Sequence, residues 1–458
     1  MVTLTIEEIL RATQGKLLTG NSSLKIKGVS IDSRTTKKEN LFFAIRGKRC
    51  DGHDFLEQAI KSGAVGVVVS KRVSCLKNRD LPVILVADTT KALGETAAHY
   101  RRKFSIPVIA LTGSAGKTTT KEMIASILSN RYKVLKSEKS ENNQFGLPLT
   151  LLKLDSTHEI VVVELGTNQP GDIAYLSKIC SPTVSVFTNI GESHLERLKN
   201  ALGVYKEKYQ LIKSTSPEGC IIFNADDEYL RKIPGSQPTQ KIRTFAVSSK
   251  AAFQAKDIRV TKDFFLEFNV GGTRYRVPSP ARHNVYNALA AISCGDLFNV
   301  SSKEMKNTLA GLEFGNGRQE LQRCGFLWLI DDTYNSNLVS IKSAIRTLET
   351  IPAAGRKIFV CADMLELGNH SRPLHEAAGR FLGRAKMDLV LTIGKDARYI
   401  QKSLKDSRGE TKSYFCPSIY KLHHRLKEYC QPEDVVLVKG SRGMAMERTV
   451  KFLKENFK

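Results

Sequence analysis

Apolar residues in this chain come in short runs separated by stretches of helical period, almost from end to end. In the first hundred residues, runs at 26–31, 40–45 and Ala64–Val69 read as strands, with a helix at 54–62 between the last two. Further on the runs become more continuous. Ile109-Ala110-Leu111 reads as the end of a buried strand, residues 159–163 form a β-branched run, and residues 183–188 form another. Helical periodicity follows Lys117, with Met123, Ile124, Ile127 and Leu128 on one face, and returns at 201–212 and 281–294. Residues 253–260, 264–270 and 274–277 alternate in shorter runs broken by Lys262-Asp263 and Gly271-Gly272, so appended antiparallel strands are expected there. Gly315-Asn316-Gly317-Arg318 reads as a linker. Beyond it, runs at 328–330, 357–361, Leu389–Ile393 and 435–438 alternate with helices, the pattern of a doubly wound domain.

The junction of one run with the next helix is chemically distinctive. Gly113-Ser114-Ala115-Gly116 is a turn of small residues, and Lys117-Thr118-Thr119-Thr120 opens the helix. Free backbone N–H groups and the positive helix end converge on such a turn, so it suits a phosphate. A lysine there reaches the outer phosphates of a nucleotide, and the threonine after it can ligate magnesium. The full phosphate-loop pattern wants glycine where Leu111 stands, so what remains is G-x-x-G-K-T. The fold class expected is therefore α/β in three domains. Residues 1–105 form the first; 106–313 are a central P-loop ATP-binding domain on a mainly parallel sheet; 314–458 are a C-terminal Rossmann-like, doubly wound domain.

In such domains ligand groups gather past strand ends. Glu164 stands there after its run and is a candidate magnesium ligand; His194 stands just beyond the next. The third domain offers Asp331-Asp332-Thr333-Tyr334-Asn335-Ser336-Asn337, a loop from Asp363 to Gly368, and Lys439-Gly440-Ser441-Arg442-Gly443. Ser33-Arg34 after the first run can hold a phosphate or a uracil edge, although spacing alone reads them as a solvated turn. Lys206 and Lys208 on the 201–212 helix read, on spacing alone, as a solvated face.

Composition narrows the partners. The 70 Lys and Arg against 46 Asp and Glu leave a formal charge of +24, which suits nucleic acid or a small anionic substrate equally. The basic residues are scattered and no basic–aromatic interleaving stands out, so nucleic acid is not expected as a partner. Nine dispersed cysteines without a C-x-x-C fit reduced thiols and a cytoplasmic location. No apolar run approaches bilayer length, so membrane insertion is not expected.

Taken in order, IDSR, DGHDF, TGSAGKTTT, NNQFGLPLTLL, VELGTNQPGDI, TNIGESHLE, HNVYNALAAI, Gly317-Arg318, DDTYNSN, ADMLELG with a later His375, and VKGSRGM resemble the Mur ligases nearly end to end. DDTYNSN with ADMLELG points to the member that adds D-alanyl-D-alanine. The resemblance implies an ATP-dependent ligase acting on UDP-N-acetylmuramoyl-tripeptide and D-alanyl-D-alanine through an acyl phosphate, in cell-wall precursor synthesis, and acting as a monomer. It implies ATP and two magnesium ions as cofactors, with Lys208, rather than Lys206, carbamylated. By resemblance, Gly113, Ser114, Ala115, Gly116, Lys117, Thr118, Thr119, Asn287, Arg318 and Asp332 contact the nucleotide. Thr118 and Glu164 hold one magnesium, and His194 and Lys208 the second. Lys117, His194 and Lys208 are the catalytic group, with Tyr205 one turn before Lys208 as a shield. Ser33, Arg34, Asn142, Asn143, Tyr334, Asn335 and Asn337 contact substrate.

The chain departs from the family pattern at several places. Ser137-Glu138-Lys139-Ser140 replaces Thr-x-Gly-Asn, Leu338-Val339 replaces Pro-Asp, and Arg197 and Ala362 stand where glycine is usual. Glycine reaches backbone angles that other residues resist, so altered loops are expected at the last two. Another Mur ligase, a folylpolyglutamate synthase, a ligand-binding relative without activity and a nucleic-acid-binding P-loop NTPase are the competing readings. The folylpolyglutamate enzyme would lack the first domain, and the charge alone favours the NTPase.

Overall fold

The structure, a computed structural model, describes residues 4–457 apart from 48, 49, 74, 75, 77–79, 139, 140, 237, 316 and 407–410. Lys139 and Ser140 of the altered substrate loop, and Asn316 of the linker, lie outside the described residues.

The first sheet has five strands in the order Lys16–Thr19, Val83–Leu85, Ala64–Val69, Asn40–Phe43, Gly28–Ser30, parallel except at the first pair. The strand expected over 26–31 is shorter, because Lys25–Ile26 pairs with Leu4–Thr5 in a two-stranded ribbon of its own. The helix expected over 54–62 is Leu56–Lys61, preceded by a 3-10 turn at Gly52–Phe55 that Asp51 caps.

Seven strands make the central sheet, ordered Phe253–Gln254, Lys241–Ala246, Cys220–Asn224, Val184–Phe187, Val108–Thr112, Ile160–Glu164, Val134–Lys136, and every pair is parallel. Alternate side chains of Val108–Thr112 divide between two cores. Val108 and Ala110 face one, Ile109 and Leu111 the other. A parallel sheet buried on both faces needs apolar residues at every position, which is why these strands read as continuous runs. The antiparallel expectation needs correction at its start. Phe253–Gln254 is a parallel edge strand beside Lys241–Ala246; only Lys256–Val260, Leu266–Val270 and Thr273–Val277 form the antiparallel sheet.

The third sheet is ordered Glu320–Cys324, Leu327–Asp332, Val435–Lys439, Lys357–Ala362, Leu389–Ile393, Lys412–Cys416, antiparallel only at its first pair. Its two edge strands are additions to the four the apolar runs predict.

The units meet in two ways. Helix Thr89–Arg101 lays Ala92, Leu93, Ala97 and Tyr100 into the same core as Leu147, Leu151 and Ile173 of the central sheet's flank, and Tyr100 Oη donates to Leu154 O at 2.6 Å. The third sheet keeps cores of its own, joined among the described residues by Phe264, whose ring meets Trp328 edge-on at 4.7 Å. A polar cleft separates the remaining facing surfaces. No helix among the described residues is long and apolar enough to cross a membrane.

Candidate active site

The cleft has a volume of about 530 Å³ and takes its walls from the central and third sheets. Strand Val108–Thr112 delivers the small-residue turn to its floor, and helix Lys117–Leu128 leaves from it. Asn189, past the neighbouring strand, fixes the turn. Its carbonyl accepts from Ser114 N (3.0 Å), its Oδ1 from Ala115 N (3.0 Å), and its Nδ2 donates to Ala115 O (3.1 Å). Two positions demand glycine. A Cβ on Gly113 would lie 1.9 Å from Thr188 Oγ1, and Gly116, at φ 78°, would place one 2.5 Å from Asn287 Oδ1. Lys117 Nζ donates to Gly113 O at 2.9 Å. Burial pulls its ammonium below the usual lysine range, Arg318 across the cleft adding to the effect and Glu164 opposing it.

Behind the turn, Thr118 Oγ1 donates to Glu164 Oε2 (2.6 Å) and Asn142 Nδ2 to Glu164 Oε1 (2.7 Å), so both oxygens of this buried carboxylate face the loop. Asn143 lines the cleft while its Oδ1 accepts the first N–H groups around helix Gly146–Leu151, at 3.1 Å from Phe145 N and 3.0 Å from Gly146 N. Asn287 joins Thr120 (3.1 Å) to Asn284 (2.8 Å).

His194 sits in the left-handed region at φ 54° and starts the short helix Leu195–Leu198. Burial, with Lys117 and Lys208 nearby, pushes its pKa down to about 4. Lys208 lies on helix Ala201–Ser214 at 2 % exposure and lines the cleft, whereas Lys206 is exposed. Its neighbour Glu207 is occupied by Gly171 N and Ile173 N, both at 2.8 Å. Lys208 has no hydrogen-bond or ion-pair partner among the described residues. Burial pulls its ammonium well below the usual range, Lys117 pushing the same way and Glu207 and Glu164 opposing. Tyr205, one turn before Lys208, is not among the residues lining the cleft, and its ring packs with Tyr209 and Tyr229 at 5.6 and 5.8 Å.

The opposite wall is the end of strand Leu327–Asp332 with the loop after it. Gly317, at φ 67°, packs so closely that a Cβ would lie 2.8 Å from Thr333 Oγ1, and Tyr334 N donates to Gly317 O at 3.0 Å. This anchors Arg318, whose guanidinium lies 3.7 Å from the Tyr334 ring centroid. Asp332 pairs with Lys439 Nζ at 2.8 Å, both nearly out of solvent, and Lys439 also donates to Asn335 O at 3.1 Å. Burial raises the Asp332 pKa, opposed by Lys439 and Gln319. Asn337 caps helix Leu338–Thr350 and Tyr334 and Asn335 line the cleft.

Of the residues singled out in the sequence, the cleft gathers Ser114, Ala115, Gly116, Lys117, Thr118, Thr119, Asn142, Asn143, Glu164, His194, Lys208, Asn287, Arg318, Asp332, Tyr334, Asn335 and Asn337. Gly113 lies under the turn. Ser33 and Arg34 do not line the cleft. Ser33 Oγ donates to Gln58 Oε1 at 2.9 Å, and Arg34 makes a two-pronged pair with Asp32 at 2.9 and 2.7 Å. Lys439 and His283 line the cleft without having been assigned. Lys439 stood at a strand end, the signal that marked Glu164. His283 Nδ1 lies 2.8 Å from Ser343 Oγ across the two walls, a contact with no trace in local sequence, and burial beside Lys439 pushes its pKa down to about 4.

The departures are locally comfortable. Arg197 lies inside a helical turn and donates to Gln169 Oε1 at 2.7 Å; Ala362 ends a buried strand; neither has a positive φ. Leu338 takes the first helical position, where proline is favoured but not required.

Three family models match successive segments: the Mur ligase family catalytic domain over residues 25–101, the Mur ligase middle domain over 111–295, and the Mur ligase glutamate ligase domain over 317–442. The chain is 33 % identical over 461 residues to the UDP-N-acetylmuramoyl-tripeptide–D-alanyl-D-alanine ligase of Bacillus subtilis, covering 100 % of this chain and 99 % of that one. Its fold is similar to MurF from Acinetobacter baumannii, with TM-score 0.91, 29 % identity and full coverage of both chains. It is also similar to a MurF ligase from Thermotoga maritima solved in complex with ADP, with TM-score 0.83, 28 % identity, and 94 % and 97 % of the two chains covered.

Proposed function

The chain belongs to the Mur ligase family, and from this we infer how its cleft works: it is an ATP-dependent ligase that adds D-alanyl-D-alanine to UDP-N-acetylmuramoyl-tripeptide, a step of peptidoglycan precursor synthesis. The observation that carries the reading is that Lys117 on the phosphate turn and Arg318 on the opposite wall line one cleft close enough to feel each other's charge. Two anions, a nucleotide triphosphate and a carboxylate, have to meet there, and their repulsion must be neutralised before either reacts. The bounds taken for the three units are 1–105, 106–313 and 314–458.

In this mechanism the turn from Gly113 to Thr119 cradles the ATP phosphates on its backbone N–H groups, and Lys117 follows the transferred phosphoryl charge. Asn287, Arg318 and Asp332 orient the rest of the nucleotide. The tripeptide carboxylate takes the phosphoryl group, becoming an acyl phosphate with a leaving group a bare carboxylate lacks. The amine of the dipeptide then attacks the acyl carbon, the C–N bond forms, the C–O bond to phosphate breaks, and the amine proton is lost to solvent. Asn142, Asn143, Tyr334, Asn335 and Asn337 hold substrate near this point, and Ser33 and Arg34 take the uridine diphosphate end. Arg34 is exposed, so it can exchange Asp32 for a phosphate.

Thr118 and Glu164 form a hard oxygen pair of the kind magnesium takes together with substrate phosphates. Bound magnesium would neutralise phosphate charge. His194 and Lys208 fit a second ion only if Lys208 presents oxygen, since an ammonium has donors alone. A carbamate on Lys208 supplies two oxygens and reverses its charge. Lys208 has no ion-pair partner among the described residues, and burial outweighs the opposing charges of Glu207 and Glu164, which supports that chemistry. The enzyme is taken to act as a monomer. ADP release that requires UDP-tripeptide, is accelerated by D-alanyl-D-alanine and is not elicited by DNA or RNA tests the function; release that ignores the UDP-tripeptide, or is driven by nucleic acid, overturns it.

A further inference from the structure

Three loops of the third unit meet at one hydroxyl. Ser441 Oγ donates to Ser336 O at 3.3 Å and accepts from Leu365 N at 2.9 Å. The loop carrying Leu365 is held on its other side too. Met364 N donates to the buried His375 Nε2 at 3.0 Å, and Asp363 Oδ1 accepts from Asp396 N (3.0 Å) and Ala397 N (2.6 Å). Directly after these fixings stands Glu366 in the left-handed region, at φ 62°. A glutamate there is strained, and the fixings hold it in place.

The side chain so held reaches across to the central wall. Glu366 Oε2 lies 3.8 Å from His194 Nδ1, beyond hydrogen-bond length, and makes no hydrogen bond among the described residues. Its carboxylate is 76 % exposed. The acidic side chains that line the cleft are all committed. Glu164 accepts from Thr118 and Asn142, Asp172 from Asn168 N and Gln169 N, and Asp332 from Lys439. Beside Glu366 in the same loop cluster, Ser336 is 4 % exposed and lines the cleft with a hydroxyl that has no partner among the described residues.

This rests on the ligase reading above. The dipeptide arrives as a zwitterion; its nitrogen must come within about 3–3.5 Å of the acyl carbon and lose a proton to solvent before it can attack. Lys117 and Arg318, which line the cleft, repel the dipeptide's ammonium. We propose that Glu366 is the amine-binding residue: its carboxylate, held over His194 at the mouth of the cleft, takes the ammonium of the incoming dipeptide and presents its nitrogen to the acyl phosphate. Ser336 offers the same molecule a hydroxyl one loop away.

The test is Glu366→Gln, which keeps size and an exposed position and removes only charge. KM for D-alanyl-D-alanine should rise roughly 10- to 100-fold, the range for losing a hydrogen bond to a charged group. KM for ATP and for the UDP-tripeptide should stay within about twofold. Hydroxylamine, a small nucleophile that is largely neutral at pH 7.5, needs no ammonium site, so hydroxamate formation from ATP and UDP-tripeptide should proceed at the unaltered rate. An unchanged KM for the dipeptide overturns the proposal, as does an equal loss with hydroxylamine, which would mean that Glu366 supports the whole site. An unaltered protein that joins neither amine overturns the ligase reading and this one with it.

Discussion

Lys208 and Lys439 face each other across the cleft, and both are almost fully buried, at 2 % and 1 % exposure. Lys208, on the central wall, has no ion-pair partner among the described residues; Lys439 pairs with Asp332 at 2.8 Å. A buried cation is tolerable when a carboxylate shares its site and costly when none does. Lys439 is therefore built to remain an ammonium. Lys208 stands beside Lys117 and His194, where losing a proton, or exchanging its cation for a carbamate, relieves the repulsion. Burial alone does not tell a structural lysine from a chemical one; the presence or absence of a partner does.

The largest effect belongs to the lysine both walls are arranged around. Lys117→Ala removes the cation from the phosphate turn and should lower kcat roughly 10³-fold, about 4 kcal/mol of transition-state stabilisation. A near-normal rate of ADP release would mean that the turn does not hold the reacting phosphates. Lys208→Ala should lower kcat roughly 10²-fold. Short carboxylic acids such as formate or acetate should restore part of it by standing in for the carbamate oxygens. Its melting temperature should hold or rise, because an unpaired buried cation has gone. Lys206→Ala, on the exposed side of the same helix, should change little.

Lys439→Met tests the other half. It leaves Asp332 buried and unpaired, at a cost of about 2 kcal/mol once the pair's position on a cleft is allowed for, so the melting temperature should fall by roughly 5 °C. If Lys208→Ala melted early and Lys439→Met did not, the contrast between the two lysines would be reversed.

Much of this site could be read before the fold was known, for physical reasons that differ by residue. Lys117 and Thr118 belong to a local strand–turn–helix, so seven adjacent residues carry the signal. Glu164, His194 and Asp332 stand at strand ends, where apolar runs stop. Lys208 could be preferred to Lys206 only through family resemblance, since both sit on one helix and which face turns inward is decided by packing. Lys439 lay at a strand end as visibly as Glu164, but nothing local named Asp332 as its partner 107 residues away. Of the strands that escaped notice, Lys16–Thr19, Glu320–Cys324 and Lys412–Cys416 lie at sheet edges, where half-exposed residues break the apolar run, whereas Cys220–Asn224 and Val83–Leu85 lie inside their sheets. Phe253–Gln254 was legible as a strand, but its direction is set by a neighbour and not by its own sequence.

The smallest effect concerns the contact that ties the two walls. His283, on the central helix His283–Leu297, meets Ser343 of helix Leu338–Thr350 at 2.8 Å, and burial beside Lys439 pushes its pKa down to about 4. In the unfolded chain a histidine takes up its proton near pH 6.5. Between these values the unfolded state binds more protons than the folded one, so stability must fall as the pH drops from about 6.5 towards 4. From pH 7 to 5.5 the loss from this one residue should be about 1 kcal/mol. His194, also pushed down to about 4, adds a similar loss and His423, lowered by burial, adds to it, so His283→Gln should remove a part, below half, of the acid slope in melting temperature while keeping a polar group beside Ser343. The distinction lies in the cause. If the walls are held together, Lys439 stays near His283, and Lys439→Met should raise the His283 pKa and flatten the slope further. If His283→Gln leaves the slope unchanged, water reaches His283 freely, and Lys439 does its work paired with Asp332 on a wall that stands apart from Lys208.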